Sequence, residues 1–497
     1  MSTERPAAYQ TLCDQFERVS YLADGASYLN WDQEVMMPEQ GTPARAKQLS
    51  AITGVRHELL TADRVGEALA ELRGANLEDP QAAAVREIRR EHDRAASVPR
   101  ELVERISEET SNALPVWKEA KAAADWSLFA PRVERLLALK REYAAHIDAE
   151  ADPYAVLFAE YEPYLDLATA EEVLATLREG LVPLIDEIDA SEVSLADPFQ
   201  GHYDEDDQMA LARAVLDELG YDWDRGRIDT APHPFSLGTQ FDARVTTRFD
   251  ESDPVGAIGS TIHEFGHASY TLGLPEERYG SPLGQHRGLT VHESQSRLME
   301  NHVGRSRAFW TRLADRFDEH LSVDITPADG YEAANRIYPD NTIRVEADEL
   351  TYHLHVVIRF EIERAMLAGE IDVEEVPAVW NEKMERYLGV RPEDDAAGCL
   401  QDIHWAHGSF GYFPTYSLGS VLAAQLFEAA QSDIEALEAQ LRAGSLESLQ
   451  TWLTENVHRH GQRFRTGELV ERATGEPLSA DPFLAYATEK FGRLYEL

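Results

Sequence analysis

Two histidines spaced four residues apart, with a glutamate directly after the first, are the residues of this chain best suited to chemistry. They form the segment His263-Glu264-Phe265-Gly266-His267. On a helix, positions i and i+4 lie on one face, so both imidazoles can bind one zinc ion. Glu264 then lies beside the metal, where it can take a proton from a bound water. Because so short a motif also arises by chance, the rest of the chain has to support this interpretation.

A catalytic zinc site needs a third protein ligand and an open position for water. The metzincin pattern requires glycine at position 270 and histidine at position 273, whereas this chain has Tyr270 and Gly273. The gluzincin pattern takes a glutamate from a later helix instead, and Glu293 fits it. From spacing alone, Glu293 is equally well explained as an exposed helix acid. Its neighbour His292 faces elsewhere on a helix, so we expect it to lie outside the metal sphere.

Helices have to position these residues, because apolar residues recur with helical periodicity over most of the chain. One strand signal, rich in β-branched residues, covers 242–249 directly before the histidine motif. Thr169 and Glu172 have the spacing of a capping box at a helix start. The periodicity predicts helices over residues 101–112, 129–147, 170–188, 207–219, 257–272, 292–317, 347–368, 376–388, 418–430 and 446–457.

The composition excludes several classes of protein. Of the 497 residues, 43% are hydrophobic, which suffices for a large core and excludes general disorder. The 46 basic and 90 acidic residues give a net charge of −44, so neither nucleic acid nor an anionic membrane is an expected partner. Only six of the basic residues are lysine. An acidic, lysine-poor composition is typical of halophilic organisms, whose high salt screens the repulsion between carboxylates.

The cellular location is predicted from the cysteines and from the absence of long apolar segments. Cys13 and Cys399 are too few for a disulfide framework and fit a reducing compartment. No stretch approaches the roughly 18 apolar residues that span a bilayer. The first six residues lack the basic and apolar regions of a signal peptide. We therefore expect a cytoplasmic protein without membrane segments and, since no linker or repeat is visible, a single domain over residues 5–497.

Five short motifs occur in order along the chain. They are His233-Pro234-Phe235, Asp242-Ala243-Arg244-Val245-Thr246, the histidine motif together with His292-Glu293-Ser294-Gln295, Ile343-Arg344-Val345-Glu346-Ala347-Asp348, and Gly398-Cys399-Leu400-Gln401-Asp402-Ile403-His404-Trp405. In this order they resemble the carboxypeptidase Taq family of zinc metallocarboxypeptidases. The resemblance runs over nearly the whole chain and is far more specific than the histidine motif alone.

The resemblance implies an almost entirely α-helical fold of gluzincin type. Two helical lobes are expected to flank a long deep groove, with a small β-sheet beside the metal. The resemblance also implies a homodimer that removes single residues, with broad specificity, from the C-termini of peptide substrates. It assigns the zinc ligands to His263, His267 and Glu293, and the catalytic carboxylate to Glu264. Because nitrogen and oxygen ligands accept several divalent metals, Co²⁺ is an alternative to Zn²⁺.

The hydrolysis expected at such a site has two requirements. Zinc would lower the pKa of a bound water from about 15.7 to about 7, and Glu264 would accept its proton and pass it to the leaving amine. The tetrahedral oxyanion then needs further hydrogen-bond donors. The segment 404–416 supplies four candidates, which the sequence does not rank: His404, His407, Tyr412 and Tyr416.

A carboxypeptidase must also recognise the free carboxylate of its substrate. A guanidinium group does this well because its fork matches two carboxylate oxygens. Arg344 in the fourth motif is the first candidate, and Arg244 in the second motif is the next. Arg244 could instead close the end of the groove, so that one residue fits beyond the cleaved bond. By resemblance, His233 and the segment 242–246 lie near the metal and limit the position of the substrate.

One position departs from the wider gluzincin pattern. Four residues after the third ligand, related clans often carry an aspartate that orients a zinc-bound histidine, whereas this chain has Arg297. Glu300 or Asp348 could be the acceptor instead. Two other functions stay open, namely a zinc oligopeptidase or dipeptidyl carboxypeptidase of similar fold and a non-catalytic peptide-binding scaffold. The intact Glu264 argues against a scaffold, which has no need of a base beside a metal.

Overall fold

The computed structural model describes residues 6–497, and most of these residues are helical, which confirms the predicted fold class. The α-helices are, in chain order, α1 (Ala7–Val35), α2 (Thr42–Leu60), α3 (Asp63–Glu71), α4 (Asp79–Ser97), α5 (Arg100–Ala123), α6 (Trp126–Ile147), α7 (Pro153–Tyr161), α8 (Leu167–Asp189), α9 (Glu205–Leu219), α10 (Pro254–Gly273), α11 (Leu289–Arg297), α12 (Arg307–Leu321), α13 (Pro327–Ala334), α14 (Thr351–Ala368), α15 (Val376–Leu388), α16 (Pro414–Asp433), α17 (Leu437–Arg442), α18 (Glu447–Asn456), α19 (Thr466–Thr474) and α20 (Asp481–Leu494).

A three-stranded sheet lies between α9 and α10 in the sequence. Its strands are β1 (Gly226–Thr230), β2 (Ser236–Thr239) and β3 (Asp242–Thr247), in the spatial order β1-β3-β2. The central strand β3 runs parallel to β1 and antiparallel to β2. It matches the predicted strand at its start and ends two residues earlier. Both β2 and β3 pack against α10, which carries the histidine motif.

The predicted helix 101–112 is too short, since α5 continues to Ala123, and three other details of the predicted helices are wrong. Residues 292–317 form α11, a π-helical segment (Leu298–Gly304) and α12, because Ser306 accepts a hydrogen bond from Phe309 N and starts a new helix. The helix predicted from residue 347 begins at Thr351 instead, where Asp348 Oδ1 accepts the Thr351 N–H at 2.9 Å.

The third wrong detail is the capping box at the start of α8. Asp166 is the residue that caps this helix, and its Oδ1 accepts the Thr169 N–H at 2.8 Å. Thr169 therefore lies inside the first turn and cannot serve as the cap. An aspartate side chain accepts from this backbone group as readily as a threonine hydroxyl does, so Asp166 can take the place predicted for Thr169.

Most buried apolar side chains form one core that runs from Ala113 to Tyr495. A smaller core lies under α1, α3 and α4 and includes Leu283. Among residues 6–497, no helix is both long and apolar enough to cross a bilayer. The expected single domain with two lobes stays a prediction, and its first residue, number 5, lies outside the described part of the chain.

Candidate active site

Helix α10 presents both histidines of the motif on one face. The helix starts at Asp253, whose Oδ1 accepts the Gly256 N–H at 2.9 Å, and Pro254 occupies its first position. The two imidazole rings of His263 and His267 lie with their centres 4.9 Å apart and nearly perpendicular. This arrangement leaves their Nε2 atoms free to converge on one point.

Helix α11 brings Glu293 to the same point. Its Oε2 atom lies 3.6 Å from His263 Nε2 and 3.4 Å from His267 Nε2. Around a tetrahedral zinc ion with bonds of about 2.0–2.2 Å, neighbouring donor atoms lie about 3.3–3.6 Å apart. The three donor atoms also form a compact group in which all lie within 4.8 Å of one another. The residues therefore fit a single divalent metal ion.

The opposite ring nitrogens are fixed by hydrogen-bond acceptors. His263 Nδ1 lies 2.9 Å from Glu300 Oε2, and His267 Nδ1 lies 3.1 Å from the His292 carbonyl oxygen. Such acceptors set the ring orientation and make the Nε2 atom a better ligand. Of the two acceptors considered from the sequence, Glu300 is the one at the site, since Asp348 binds the backbone N–H of Thr351 at the start of α14. His292 contributes its backbone, as its side chain packs beside His267 with ring centres 4.4 Å apart.

The Glu293 carboxylate is held from several sides. Arg297 Nε donates to its Oε1 at 2.9 Å, and the Ser296 hydroxyl donates to its Oε2 at 3.0 Å. Burial opposes ionisation, but His263 and Arg297 lower the pKa of Glu293 well below its usual range. Helix α16 packs so closely here that a Cβ at Gly419 would lie 2.5 Å from the Glu293 Cβ. Glycine at position 419 therefore leaves room for the Glu293 side chain.

Glu264 lies beside this group with one oxygen unused. Glu264 is 5% exposed, and its Oε2 atom is buried without a hydrogen-bond partner. Burial raises the pKa of Glu264, while nearby His263 and His267 act in the opposite direction. Ser236 of strand β2 lies near Glu264 and also lowers its pKa. A buried carboxylate with a raised pKa and a free oxygen is suited to accept and return a proton.

A second wall of the site consists of polar aromatic side chains from the segment 404–416. His404 Nε2 lies 3.2 Å from the Tyr416 hydroxyl, and the ring centres of Tyr412 and Tyr416 are 5.2 Å apart. Burial lowers the pKa of His404 to about 3, so its imidazole is neutral at pH 7. Burial raises the pKa of Tyr412 to about 12, so its hydroxyl keeps its proton. His407 of the same segment has an exposed side chain.

Arg344 belongs to this second wall. Its Cζ atom lies 5.1 Å from the ring centre of Tyr416. The Nε and Nη2 groups donate to Asp402 at 3.0 and 2.7 Å, and Nη1 donates to the Tyr352 hydroxyl at 3.1 Å. Arg359 binds the other oxygen of Asp402 at 2.6 Å. Two guanidinium groups thus share one carboxylate, and the local charge stays positive.

Tyr352 connects this second wall with the proposed metal ligands. Its hydroxyl accepts from Arg344, and the Arg297 guanidinium lies over its ring, with Cζ 4.6 Å from the ring centre. A contact path therefore runs from Arg344 through Tyr352 and Arg297 to the Glu293 carboxylate. Neither Tyr352 nor Ser236 follows from the motif spacing in the sequence. Both residues reach the site through tertiary packing, for which the sequence gives no local signal.

The remaining predicted substrate residues lie on the side of the sheet. Arg244 in β3 binds its neighbour Asp242 through two donors, at 2.7 Å for Nη2 and 3.0 Å for Nε. Its guanidinium also lies 4.4 Å from the ring centre of Trp31 in α1. His233 is exposed in the loop before β2, three residues ahead of Ser236. Arg344 and Arg244 are thus held by different aspartates, Asp402 and Asp242, in different elements.

A mainly helical fold in which two histidines of one helix meet a glutamate of the next defines the class of a metallopeptidase. The chain belongs to the carboxypeptidase Taq (M32) metallopeptidase family, whose sequence profile matches residues 11–491. The match confirms the resemblance seen in the ordered motifs. The protein is accordingly a metallocarboxypeptidase, and peptides are its substrates.

Individual relatives support this family membership over the full length. Thermostable carboxypeptidase 1 of Thermus thermophilus is 40% identical, over 98% of this chain and 99% of the relative. Carboxypeptidase 1 of Bacillus subtilis is 36% identical, over 97% of this chain and 98% of the relative. The M32 carboxypeptidase from Deinococcus radiodurans R1, known from its crystal structure, is 37% identical in sequence. The two structures match with a TM-score of 0.95 over 99% of this chain and all of that chain.

Proposed function

We propose that this protein is a zinc-dependent carboxypeptidase that releases single residues of broad specificity from peptide C-termini. His263, His267 and Glu293 would hold the metal, and Glu264 would act as the proton acceptor and donor. The observation that carries the proposal is the convergence of the three ligand atoms, at 3.4 and 3.6 Å, beside the unpartnered Glu264 Oε2. Cobalt is an alternative metal, because the ligands are imidazole nitrogens and a carboxylate oxygen.

The residues around the metal divide the work of hydrolysis. When bound, zinc supplies a Lewis acid that polarises the scissile carbonyl and acidifies water. Glu264 takes the proton of the attacking water on its carboxylate and returns it to the leaving amine. Tyr412 and Tyr416 are the proposed donors to the oxyanion, since burial raises both pKa values and keeps the hydroxyl protons in place. His404 positions Tyr416 through their 3.2 Å hydrogen bond and is the alternative donor.

Arg344 is the proposed binding group for the terminal carboxylate. It adjoins Tyr416 and, through Tyr352, the metal ligands, whereas Arg244 lies on the sheet side. Although Asp402 occupies the fork formed by Nε and Nη2, one N–H on each terminal nitrogen stays available to a substrate oxygen. Arg244 and His233 would close the end of the substrate site on the side of β2. Together they would limit what can lie beyond the cleaved bond.

Digestion of a synthetic peptide followed by mass spectrometry tests the proposal. One peptide carries a free C-terminal carboxylate and its twin carries an amide, both with zinc, with a chelator, and with zinc added back in high salt. We expect successive losses of single residues from the free peptide only, abolished by the chelator and restored by zinc. Equal cleavage of the amidated twin would exclude the carboxypeptidase and favour an oligopeptidase, and release of dipeptides would favour a dipeptidyl carboxypeptidase.

Two further properties stay predictions. The family resemblance suggests a homodimer, which light scattering coupled to size-exclusion chromatography would detect as twice the mass of 55.8 kDa. The sequence suggests a cytoplasmic location, which fractionation of the source cells would test. Neither property enters the chemistry proposed above.

A further inference from the structure

Arg297 spans two carboxylates of the candidate metal centre. Its Nε donates to Glu293 Oε1 at 2.9 Å, and its Nη1 donates to Glu300 Oε2 at 3.1 Å. The latter oxygen also accepts from His263 Nδ1. The Arg297 guanidinium therefore contacts the proposed ligand Glu293 directly. It also contacts Glu300, the carboxylate that orients the proposed ligand His263.

The surroundings hold this guanidinium in place. Its Cζ lies 4.6 Å from the ring centre of Tyr352, and only 16% of the Arg297 side chain is exposed. Glu300 is fixed independently by Arg305, whose Nη2 donates to Oε1 at 2.8 Å. Directly after Arg297 the backbone changes from α-helical to π-helical over Leu298–Gly304, and such turns are frequent at functional sites.

We propose that Arg297 is a positioning residue of the metal centre. Its planar fork sets the distance and angle between Glu293 and Glu300, so that Glu293 Oε2 and His263 Nε2 point to the same place. In the sequence this position is the one at which related clans carry an aspartate. Here the acid lies three residues later, as Glu300, and an arginine joins it to the third ligand.

The sign of the effect on metal binding separates positioning from charge. As a bare positive charge close to a cation, Arg297 opposes metal binding, so its removal should tighten binding. As a fork that orients two ligands, Arg297 favours metal binding, so its removal should weaken binding despite the lost repulsion. A lysine keeps the charge but has one compact ammonium group, which cannot hold two carboxylates in a fixed plane.

The test compares Arg297→Gln and Arg297→Lys with the wild-type protein. Arg312→Gln is the matched control, because Arg312 of α12 binds Glu218 of α9 at 2.8 Å, and its hydrogen bonds among the described residues involve no residue of the site. The zinc dissociation constant is measured by competition with a chromophoric chelator. The absorption spectrum of the cobalt(II)-loaded protein reports ligand geometry independently of activity, and circular dichroism of the metal-free proteins checks folding.

We expect both Arg297 variants to bind zinc about 10- to 100-fold more weakly, with a changed cobalt(II) spectrum, while Arg312→Gln matches the wild type. Unchanged or tighter binding by Arg297→Gln would overturn the inference, as would wild-type behaviour of Arg297→Lys. If Arg297→Gln does not fold, the lysine variant alone decides. If neither folds, Arg297 serves the stability of the fold and the inference is also overturned.

This inference rests on the proposed function, because it assumes a metal at His263, His267 and Glu293. The two can fail separately. If the wild-type protein binds no zinc at a stoichiometry of one, the proposed function itself is wrong. If the wild type binds zinc normally and the Arg297 variants do the same, only the inference about Arg297 is wrong.

Discussion

Gly266 of α10 and Gln295 of α11 lie so close together that no side chain fits between them. A Cβ at Gly266 would lie 2.4 Å from the Gln295 carbonyl oxygen and 2.6 Å from the Ser296 Cα. Both opposing atoms belong to the backbone, which cannot move aside cheaply. Glycine in the middle of the histidine motif therefore sets the distance between the helix of the two histidines and the helix of Glu293.

Substitution of this glycine should separate the two helices. We expect Gly266→Ala to destabilise the protein by about 1–3 kcal/mol, as other overpacked sites do, and to weaken zinc binding. Gly259→Ala in the same helix is the matched control, since a Cβ there meets nothing within 4 Å. It should be neutral or stabilising by up to ~1 kcal/mol. Thermal unfolding and zinc titration of both variants check the pair, and equal behaviour would contradict the packing argument.

Glu264→Gln should separate catalysis from metal binding. The amide keeps the size of the side chain but cannot accept a proton, so we expect kcat to fall by about 10²- to 10⁴-fold. The zinc content, measured by atomic absorption, should stay at one ion per chain, because the three proposed ligands are intact. His263→Ala should lose both zinc and turnover. Turnover by Glu264→Gln at the wild-type rate would reject Glu264 as the base.

Arg344→Ala should mainly affect substrates with a free carboxylate. Loss of a charge-assisted hydrogen bond costs about 1.5–3 kcal/mol, which corresponds to a decrease of about 10- to 100-fold in kcat/KM. The substitution also leaves Asp402 with Arg359 as its remaining guanidinium partner, so thermal unfolding has to be measured in parallel. Arg244→Ala is the comparison. If peptides with free C-termini are processed normally by Arg344→Ala, the carboxylate is bound by Arg244 or His404.

Buried Glu363 should make stability depend on pH. Its side chain accepts hydrogen bonds from Trp405 Nε1 at 2.8 Å, Gly411 N at 3.0 Å and the Tyr154 hydroxyl at 3.2 Å, and burial raises its pKa to about 7. In the unfolded chain a glutamate ionises near pH ~4.3. Between these two values only the folded protein keeps the proton, so stability should fall as pH rises and level off above about pH 7.

Glu363→Gln replaces the carboxyl group by an amide that does not titrate. Comparing its stability with that of the wild type therefore measures the effect of Glu363. The variant should lose stability relative to the wild type at pH 5 and recover on the order of 3 kcal/mol of that difference by pH 8. Thermal unfolding at intervals across this range gives the two profiles. The exposed acid Glu370 serves as the control, since Glu370→Gln should run parallel to the wild type. Parallel profiles for Glu363→Gln as well would show that Glu363 is not protonated in the folded protein.

Salt should stabilise the fold. A net charge of −44 makes surface carboxylates repel one another, and molar salt shortens the screening length to about 3 Å. We expect the fold to loosen in dilute buffer and to recover in molar sodium or potassium chloride, with a rising melting temperature. A melting temperature that does not change with salt would contradict the prediction of adaptation to high salt.

The amphipathic helices were predictable because their core faces repeat with helical spacing. Helix α6 buries Val133, Leu136 and Leu137 on one stripe, and the predicted range 129–147 ends at the observed residue. Helix α2 has no such stripe, since only Arg45 and Leu59 are buried in it, and no helix was predicted there. The π-helical segment Leu298–Gly304 was missed because it contains no proline and its side chains give no signal of a wider helical turn.

The residues of the candidate site also fall into those that the sequence predicts and those that it does not. His263, Glu264 and His267 are recognisable because their spacing is local to one helix. Arg344 was proposed because it lies in the fourth motif and its guanidinium matches a carboxylate. His404 and Tyr416 were proposed as two of four unranked hydrogen-bond donors in the segment 404–416. The contacts of Ser236 and Tyr352 depend on how β2 and α14 pack against other elements, and no pattern along the chain reports those contacts. The role of Arg297 was hidden for the same reason, since its partner Glu300 lies within the π-helical segment.

The close packing of Glu293 against Gly419 has a consequence for protein synthesis. Glu293 belongs to the middle of the chain, but the helix wall that confines it is translated much later. A growing polypeptide that ends before residue 412 lacks this helix. It also lacks the hydroxyl groups of Tyr412 and Tyr416. We therefore expect a ribosome-bound chain to stay inert toward peptides until shortly before it is released.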